Sequence, residues 1–150
     1  MLRSNETVAN TFIKLAWNKG HFNLLNAYVC KDFQYFTTFN ERVLNFYEYV
    51  VYLSAFRRAM PDLELTIEDT MVKGDKAVVY SIVSGSIQKP FFGLPVSDKI
   101  ISFSAISTFE IVKGKVKSLD TLIDIAGIER QLSSDISNDF PLEIGPETED

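Results

Sequence analysis

At 150 residues, with 46% hydrophobic and 23% charged side chains, the chain has the size of one domain and enough apolar material to bury its own core. Its formal charge of -5 and the lack of any Lys/Arg cluster beyond Arg57-Arg58 argue against a nucleic-acid footprint, which needs a basic stripe to displace counterions. No apolar run approaches the ~18 residues of a membrane span, no leader pattern follows Met1, and the single cysteine, Cys30, has no internal partner, so a reduced, cytoplasmic protein is expected.

Ser4 is placed to cap a first helix, in which Val8, Phe12, Leu15 and Ala16 recur at helical spacing. Gly20 suits the left-handed position that ends it, and a second, short helix then carries Phe22, Leu24, Leu25 and Tyr28. Asp32 to Phe39 is β-prone and reads as a short strand. Asn45 with Glu48 has the reciprocal spacing of a capping box, and the helix that follows aligns Phe46, Tyr49, Val50, Leu53 and Phe56 before Pro61 stops it.

From Leu63 the period falls to two. Leu63, Leu65, Ile67, Asp69 and Met71 share one face of a predicted strand, Lys73-Gly74-Asp75 turns it, and the next strand, through Ser86, is apolar on both faces. Gln88 to Asp98 holds two prolines and a glycine and reads as a loop. A long hairpin from Ile100 to Asp124 follows, folded at Lys113-Gly114; Ile101, Phe103, Ala105, Ser107, Phe109 and Ile111 form one row, with Leu119, Thr121 and Ile123 across the turn. Ser107 and Thr121 are the hydroxyls that interrupt these apolar rows, so a pocket would be expected to contain both. A two-residue turn pairs Ser107 with Asp120, whereas a glycine bulge at the turn brings Ser107 and Thr121 to one face; the apolar alternation favours the latter.

After Asp124 the pattern IAGIERQL is helical, and 133–150 is acidic with little periodicity, which suggests a domain over 1–132 and a loosely attached tail. The predicted class is α+β: three N-terminal helices on an antiparallel sheet.

Several segments in consistent order carry a family resemblance. They are Trp17-Asn18-Lys19-Gly20, Arg58-Ala59-Met60-Pro61-Asp62-Leu63, Lys73-Gly74-Asp75-Lys76, Gly85-Ser86 followed by Phe92-Gly93-Leu94-Pro95, Gly114-Lys115-Val116, Asp124 and Gln131-Leu132. Together they resemble the SnoaL-like polyketide cyclase family of the nuclear-transport-factor-2-like superfamily. The resemblance implies a cone-shaped barrel in which a curved sheet and helices enclose an apolar cavity, frequent homodimers, and ring closure without a cofactor through an enolate that needs a general acid/base. It also implies a histidine and an aspartate at the positions that Ser107 and Thr121 occupy here. Neither hydroxyl titrates near neutral pH, so the scaffold fits while the proton-transfer pair does not.

Three carboxylates are candidates to replace that pair. Asp124 matches an aspartate common in the family but directly precedes a helix it could simply cap; Asp69 lies in an apolar row; Asp120 adjoins Thr121 and points outward in the favoured register. Trp17, Phe33, Tyr35, Phe56, Phe92, Phe103, Ser107 and Thr121 are the expected wall of a site for a hydrophobic small molecule, with Tyr35, Tyr47 and Tyr52 as hydrogen-bond donors or ordinary core tyrosines. His21, the one histidine, follows a glycine at a helix start and reads as solvated, so no metal site is expected. The function expected is cofactor-free cyclisation, isomerisation or hydrolysis of a polyketide-like substrate; the alternative is a non-catalytic ligand-binding or dimerising module on the same fold.

Overall fold

A computed structural model describes residues 3–138. Helix α1 (Asn5–Ile13) starts where the Ser4 hydroxyl accepts the Thr7 backbone N–H at 3.1 Å, and it buries Val8, Ala9, Phe12 and Ile13. The helix then widens into a π-helical stretch, Lys14–Lys19, closed by Gly20 at φ 63°. Such widening displaces the side chains of one turn from their ordinary face. Here it coincides with burial of Ala16 and Trp17, and it presents Asn18 to the sheet. The Asn18 amide donates to the Leu65 carbonyl at 2.9 Å and accepts the Leu65 N–H at 2.7 Å, as a neighbouring strand would.

Helix α2 (Phe22–Leu25) and a 3-10 turn (Asn26–Tyr28) lead into strand β1 (Val29–Thr37), which begins earlier than the β-prone run suggests. Strand β2 (Asn40–Leu44) is a short edge strand whose sequence carries no alternating apolar pattern to announce it. Helix α3 (Phe46–Ala59) opens with the expected capping box: the Asn45 side chain accepts the Glu48 N–H at 2.8 Å while the Glu48 carboxylate accepts the Asn45 N–H at 3.0 Å. That backbone bond, with Arg42 beside it, holds the Glu48 carboxyl below its ordinary pKa.

Strands β3 (Glu64–Lys73), β4 (Lys76–Gly85), β5 (Ile101–Val112) and β6 (Lys115–Ile123) complete a curved, open six-stranded sheet in the order β2-β1-β6-β5-β4-β3. The sheet is mixed, which corrects the all-antiparallel expectation: β1 lies parallel to β6, with Tyr35 opposite Leu119 and Thr37 opposite Thr121. Helix α4 (Ile125–Asn138) continues past Leu132 into the acidic stretch, and the remainder of the expected tail lies outside the described residues. Among the described residues no helix is long and apolar enough to cross a membrane.

Two bulges set which side chains face inward. Between β5 and β6, Val112 pairs with Lys115 across a two-residue turn and Ile111 pairs with Val116, but Glu110 pairs with Ser118, so Lys117 is the extra residue. The register that opposes Ser107 to Thr121 therefore arises from a bulge inside the strand, not from a glycine bulge at the turn. Between β3 and β4, Ile67 pairs with Ser81 and Asp69 with Tyr80, which leaves Glu68 unpaired. This bulge inverts the rest of β3: Asp69 and Met71 turn to solvent, contrary to the single apolar face predicted for Leu63 to Met71, and Thr70 turns inward to bond Asn10 at 2.7 Å.

Candidate active site: an aromatic interior with hydroxyl groups

The concave face of the sheet and the inner faces of α1 and α3 enclose a continuous aromatic cluster. Trp17 meets Phe56 edge-on at 5.1 Å between centroids, Phe56 meets Phe91 at 4.7 Å and Phe103 at 6.4 Å, and Tyr35 lies 4.4 Å from Tyr49 and 5.5 Å from Tyr52. Phe33 joins through Tyr49 at 5.7 Å. Offset and edge-to-face contacts of this kind add about 0.5–1.5 kcal/mol each beyond area burial. Trp17, Phe33, Tyr35, Phe56 and Phe103, anticipated as wall residues, are all buried in this cluster.

Phe92 occupies a different position. It is 42% exposed, at the tip of a tight turn in which Phe91 bridges Leu94, and it stacks on Phe39 at 4.6 Å with ring planes 18° apart. Phe92 and Gly93 both have positive φ, 51° and 79°. For a bulky residue that region is strained, at a cost on the order of 1–3 kcal/mol. Phe92 also approaches Tyr52 at 5.5 Å, and both rings line an open groove of about 350 Å³ whose other walls include Arg42, Leu44, Tyr47, Val51 and Ala55. Tyr47 is largely exposed, while Tyr52 is buried and belongs both to the lining of the groove and, through Tyr35, to the aromatic cluster.

The polar groups inside are hydroxyls. Ser107 and Thr121 face each other across β5 and β6, each only 2% exposed; Thr37 is the next residue in that cross-strand row, and Ser81 lies on the same face of neighbouring β4. Thr37 donates to the Tyr52 hydroxyl at 2.8 Å. The hydroxyls of Tyr35, Tyr49 and Ser81 are buried with no hydrogen-bond partner of acceptable geometry; Thr121 and Thr37 stand close enough to Tyr35 to favour its phenolate without making a well-formed bond to it. Burial pushes all three tyrosine hydroxyls above their ordinary pKa, Tyr52 to about 12, with neighbouring tyrosines adding to the rise at Tyr35 and Tyr49. Among the described residues up to Ser133 no aspartate, glutamate, histidine, lysine or arginine is buried.

The three candidate carboxylates are all exposed. Asp124 accepts the Gly127 N–H at 2.9 Å, an N-cap of α4, and its oxygens occupy the space that a Cβ on residue 127 would need. Asp69 accepts the Thr70 N–H at 2.9 Å, and Asp120 pairs with Thr108 on the outer face. His21 is exposed, and Cys30 is half-buried with its Sγ 3.9 Å from the Lys115 carbonyl. Sequence reasoning missed Thr37, Ser81 and the Tyr49 hydroxyl as parts of the polar set. Ser81 lies two residues from both Val79 and Val83, so the period-two pattern alone could have placed it inside.

Comparison with known proteins agrees with this architecture. The structure of a SnoaL-like polyketide cyclase from Agrobacterium tumefaciens superimposes with a TM-score of 0.75 at 18% identity, covering 87% of this chain and 99% of that one. TsrD from Streptomyces laurentii gives 0.73 at 25% identity, covering 87% and 98%, and a candidate polyketide cyclase from Bacillus cereus gives 0.69 at 25%, covering 83% and 78%. No curated protein matches the chain. The sequence profile of the SnoaL-like polyketide cyclases matches residues 7–132, and the chain belongs to that family.

Proposed function

We propose that this chain binds a neutral, hydrophobic, oxygen-bearing small molecule of polyketide-like character, which it recognises through hydroxyl donors rather than through an ionised catalytic group. The observation that carries this reading is the composition of the interior: aromatic rings and hydroxyls, three of the hydroxyls unpartnered, and no buried carboxylate or imidazole among the described residues up to Ser133. A buried unsatisfied hydroxyl costs about 1–3 kcal/mol, and a carbonyl, ether or hydroxyl oxygen of a ligand would recover it. An anionic ligand gains nothing there, since nothing inside carries positive charge. The groove lined by Tyr52 and Phe92 supports a route of access from that side.

Membership of the family favours a second reading, in which the same molecule undergoes cofactor-free cyclisation, isomerisation or hydrolysis. A tyrosine hydroxyl would then donate to the developing enolate oxygen, and Asp124, Asp69 or Asp120 would have to act from outside the aromatic interior, or after movement into it. Kinship also supports a homodimer, and the lone cysteine a cytoplasmic setting, both open to test by light scattering and by cell fractionation.

Mass spectrometry of the organic extract of the purified full-length protein tests the binding reading. An apolar, uncharged, oxygenated compound recovered near one per chain and unchanged after incubation is expected. Conversion of the compound to a product by the protein, at a rate governed by a group titrating near neutral pH, would replace binding with catalysis.

A further inference from the structure

We infer that the C-terminal end of α3 carries a second binding site, for a small organic anion with an apolar body, on the outer surface and independent of the aromatic interior. A depression of about 540 Å³ there is lined by Phe22, Ser54, Arg57, Arg58, Pro61 and Lys89. That volume suits a small ligand. Three of its six lining residues are cationic and none is acidic, in a chain whose formal charge is -5.

The cations come from separate elements. Ser54, Arg57 and Arg58 stand at i, i+3 and i+4 on α3, so they share one helix face. Lys89 is held beside them by the loop after β4, where the Gln88 N–H donates to the Ala59 carbonyl at 2.7 Å. Two arginines in a last turn would suffice to complement the helix dipole; a lysine converging from another element is more than that role needs. Among the described residues neither Arg58 nor Lys89 has an ion-pair partner, and the nearby Asp62 carboxylate is engaged by the Ser86 N–H at 2.9 Å and the Ser86 hydroxyl at 2.8 Å.

Arg57 is fixed in advance. Its Nη1 donates to the Trp17 carbonyl, and its guanidinium packs against Gly20, where a Cβ would sit 2.8 Å from Nε. Gly20 at φ 63° thus both ends the π-helical stretch and makes room for the fork. Nη1 is held, and among the described residues nothing accepts a hydrogen bond from Nε or Nη2, donors whose planar arrangement suits carboxylate or phosphate. Phe22 and Pro61 supply the apolar surface beside it.

The test titrates the full-length, isotopically labelled protein with phenyl phosphate, benzoate and inorganic phosphate, read by amide and arginine side-chain NMR shifts. Saturable shifts confined to Arg57, Arg58, Lys89 and Phe22 are expected. Phenyl phosphate or benzoate should bind at least threefold more tightly than inorganic phosphate, with affinity falling as salt rises. The phosphate and carboxylate arms identify which head group is preferred. R58Q/K89Q changes two exposed side chains and should keep the fold while lowering affinity about tenfold or more; G20A should weaken binding by displacing Arg57. Non-saturating shifts, or equal affinity in R58Q/K89Q, would overturn the site.

Discussion

Ser107 on β5 and Thr121 on β6 are directly opposed and face the aromatic interior, where the family resemblance implies a histidine and an aspartate. Cross-strand neighbours bring their Cβ atoms to about 4.5–5.5 Å, close enough for an imidazole and a carboxylate to bond. The S107H/T121D double variant should therefore lose about 2–4 kcal/mol from overpacking and desolvation, but less than the sum of the two single variants. A double-mutant cycle by urea denaturation measures the difference. Strict additivity would show that the two side chains do not meet.

Tyr35→Phe and Tyr49→Phe separate stability from binding. Each removes a buried hydroxyl that makes no well-formed hydrogen bond, so Tyr49→Phe should leave the free protein unchanged or more stable by about 1 kcal/mol, and Tyr35→Phe, which also gives up the approach of Thr121, Thr37 and Tyr52, should stay within about 1 kcal/mol of it. Each should also weaken the ligand recovered from the purified protein by about tenfold, the loss of one hydrogen bond to a buried oxygen. Denaturation midpoints and ligand titrations on the same preparations provide both readings; destabilisation by more than 1 kcal/mol would mean that the hydroxyls are satisfied in the free protein.

The pH response follows from the same groups. The folded pKa values of Tyr35, Tyr49 and Tyr52 lie above the ordinary 10.0, so between that value and the folded one the unfolded chain holds fewer protons than the folded. Their contribution to stability is complete below about pH 10 and is lost as pH rises through the folded values. Phenolate absorbance should appear for these three only together with alkaline unfolding. With no carboxylate or imidazole inside, ligand affinity should be flat from about pH 5 to pH 9. A bell-shaped profile in that range would restore an ionisable catalyst.

The aspartates divide by what they touch. D124A removes the cap on α4 and should cost about 1 kcal/mol, whereas D69N and D120N should change stability by less than about 0.5 kcal/mol. None of the three should alter ligand affinity. Loss of product formation in D69N or D120N with stability intact would place a carboxylate in the chemistry after all.

Phe92 offers a kinetic test. Phe92→Asn tolerates positive φ better and removes the ring stacked on Phe39, so strain relief offsets lost packing and stability should stay within about 1 kcal/mol. Ligand association, followed by stopped-flow fluorescence of Trp17, should accelerate several-fold as the groove opens. An unchanged rate would mean that access lies elsewhere.

The elements that depend on local chemistry were legible: the Ser4 cap, the Asn45–Glu48 box, the left-handed Gly20 and the Lys113-Gly114 turn each declare themselves within a few residues. What escaped depends on partners remote in sequence. Glu68 and Lys117 are ordinary polar strand residues, and nothing local distinguishes a bulge from one more outward-facing side chain; yet Glu68 decides that Asp69 faces water, and Lys117 that Thr121 faces inward. The parallel pairing of β1 with β6 joins segments separated by most of the domain, which periodicity cannot detect. The aromatic wall was readable as alternation and helical spacing, while the unpartnered state of the Tyr35, Tyr49 and Ser81 hydroxyls exists only in three dimensions.

That same pairing of β1 with β6 orders events during synthesis. Until residues 115–123 have left the ribosome, β1 and β2 have no sheet to join, and the rings of Phe33 and Tyr35 have no floor beneath them. Contacts this distant are slow to form and leave apolar surface open to wrong partners. A nascent chain halted before Lys115 should bind chaperones, whereas one extended through Ile123 should become resistant to protease along β1.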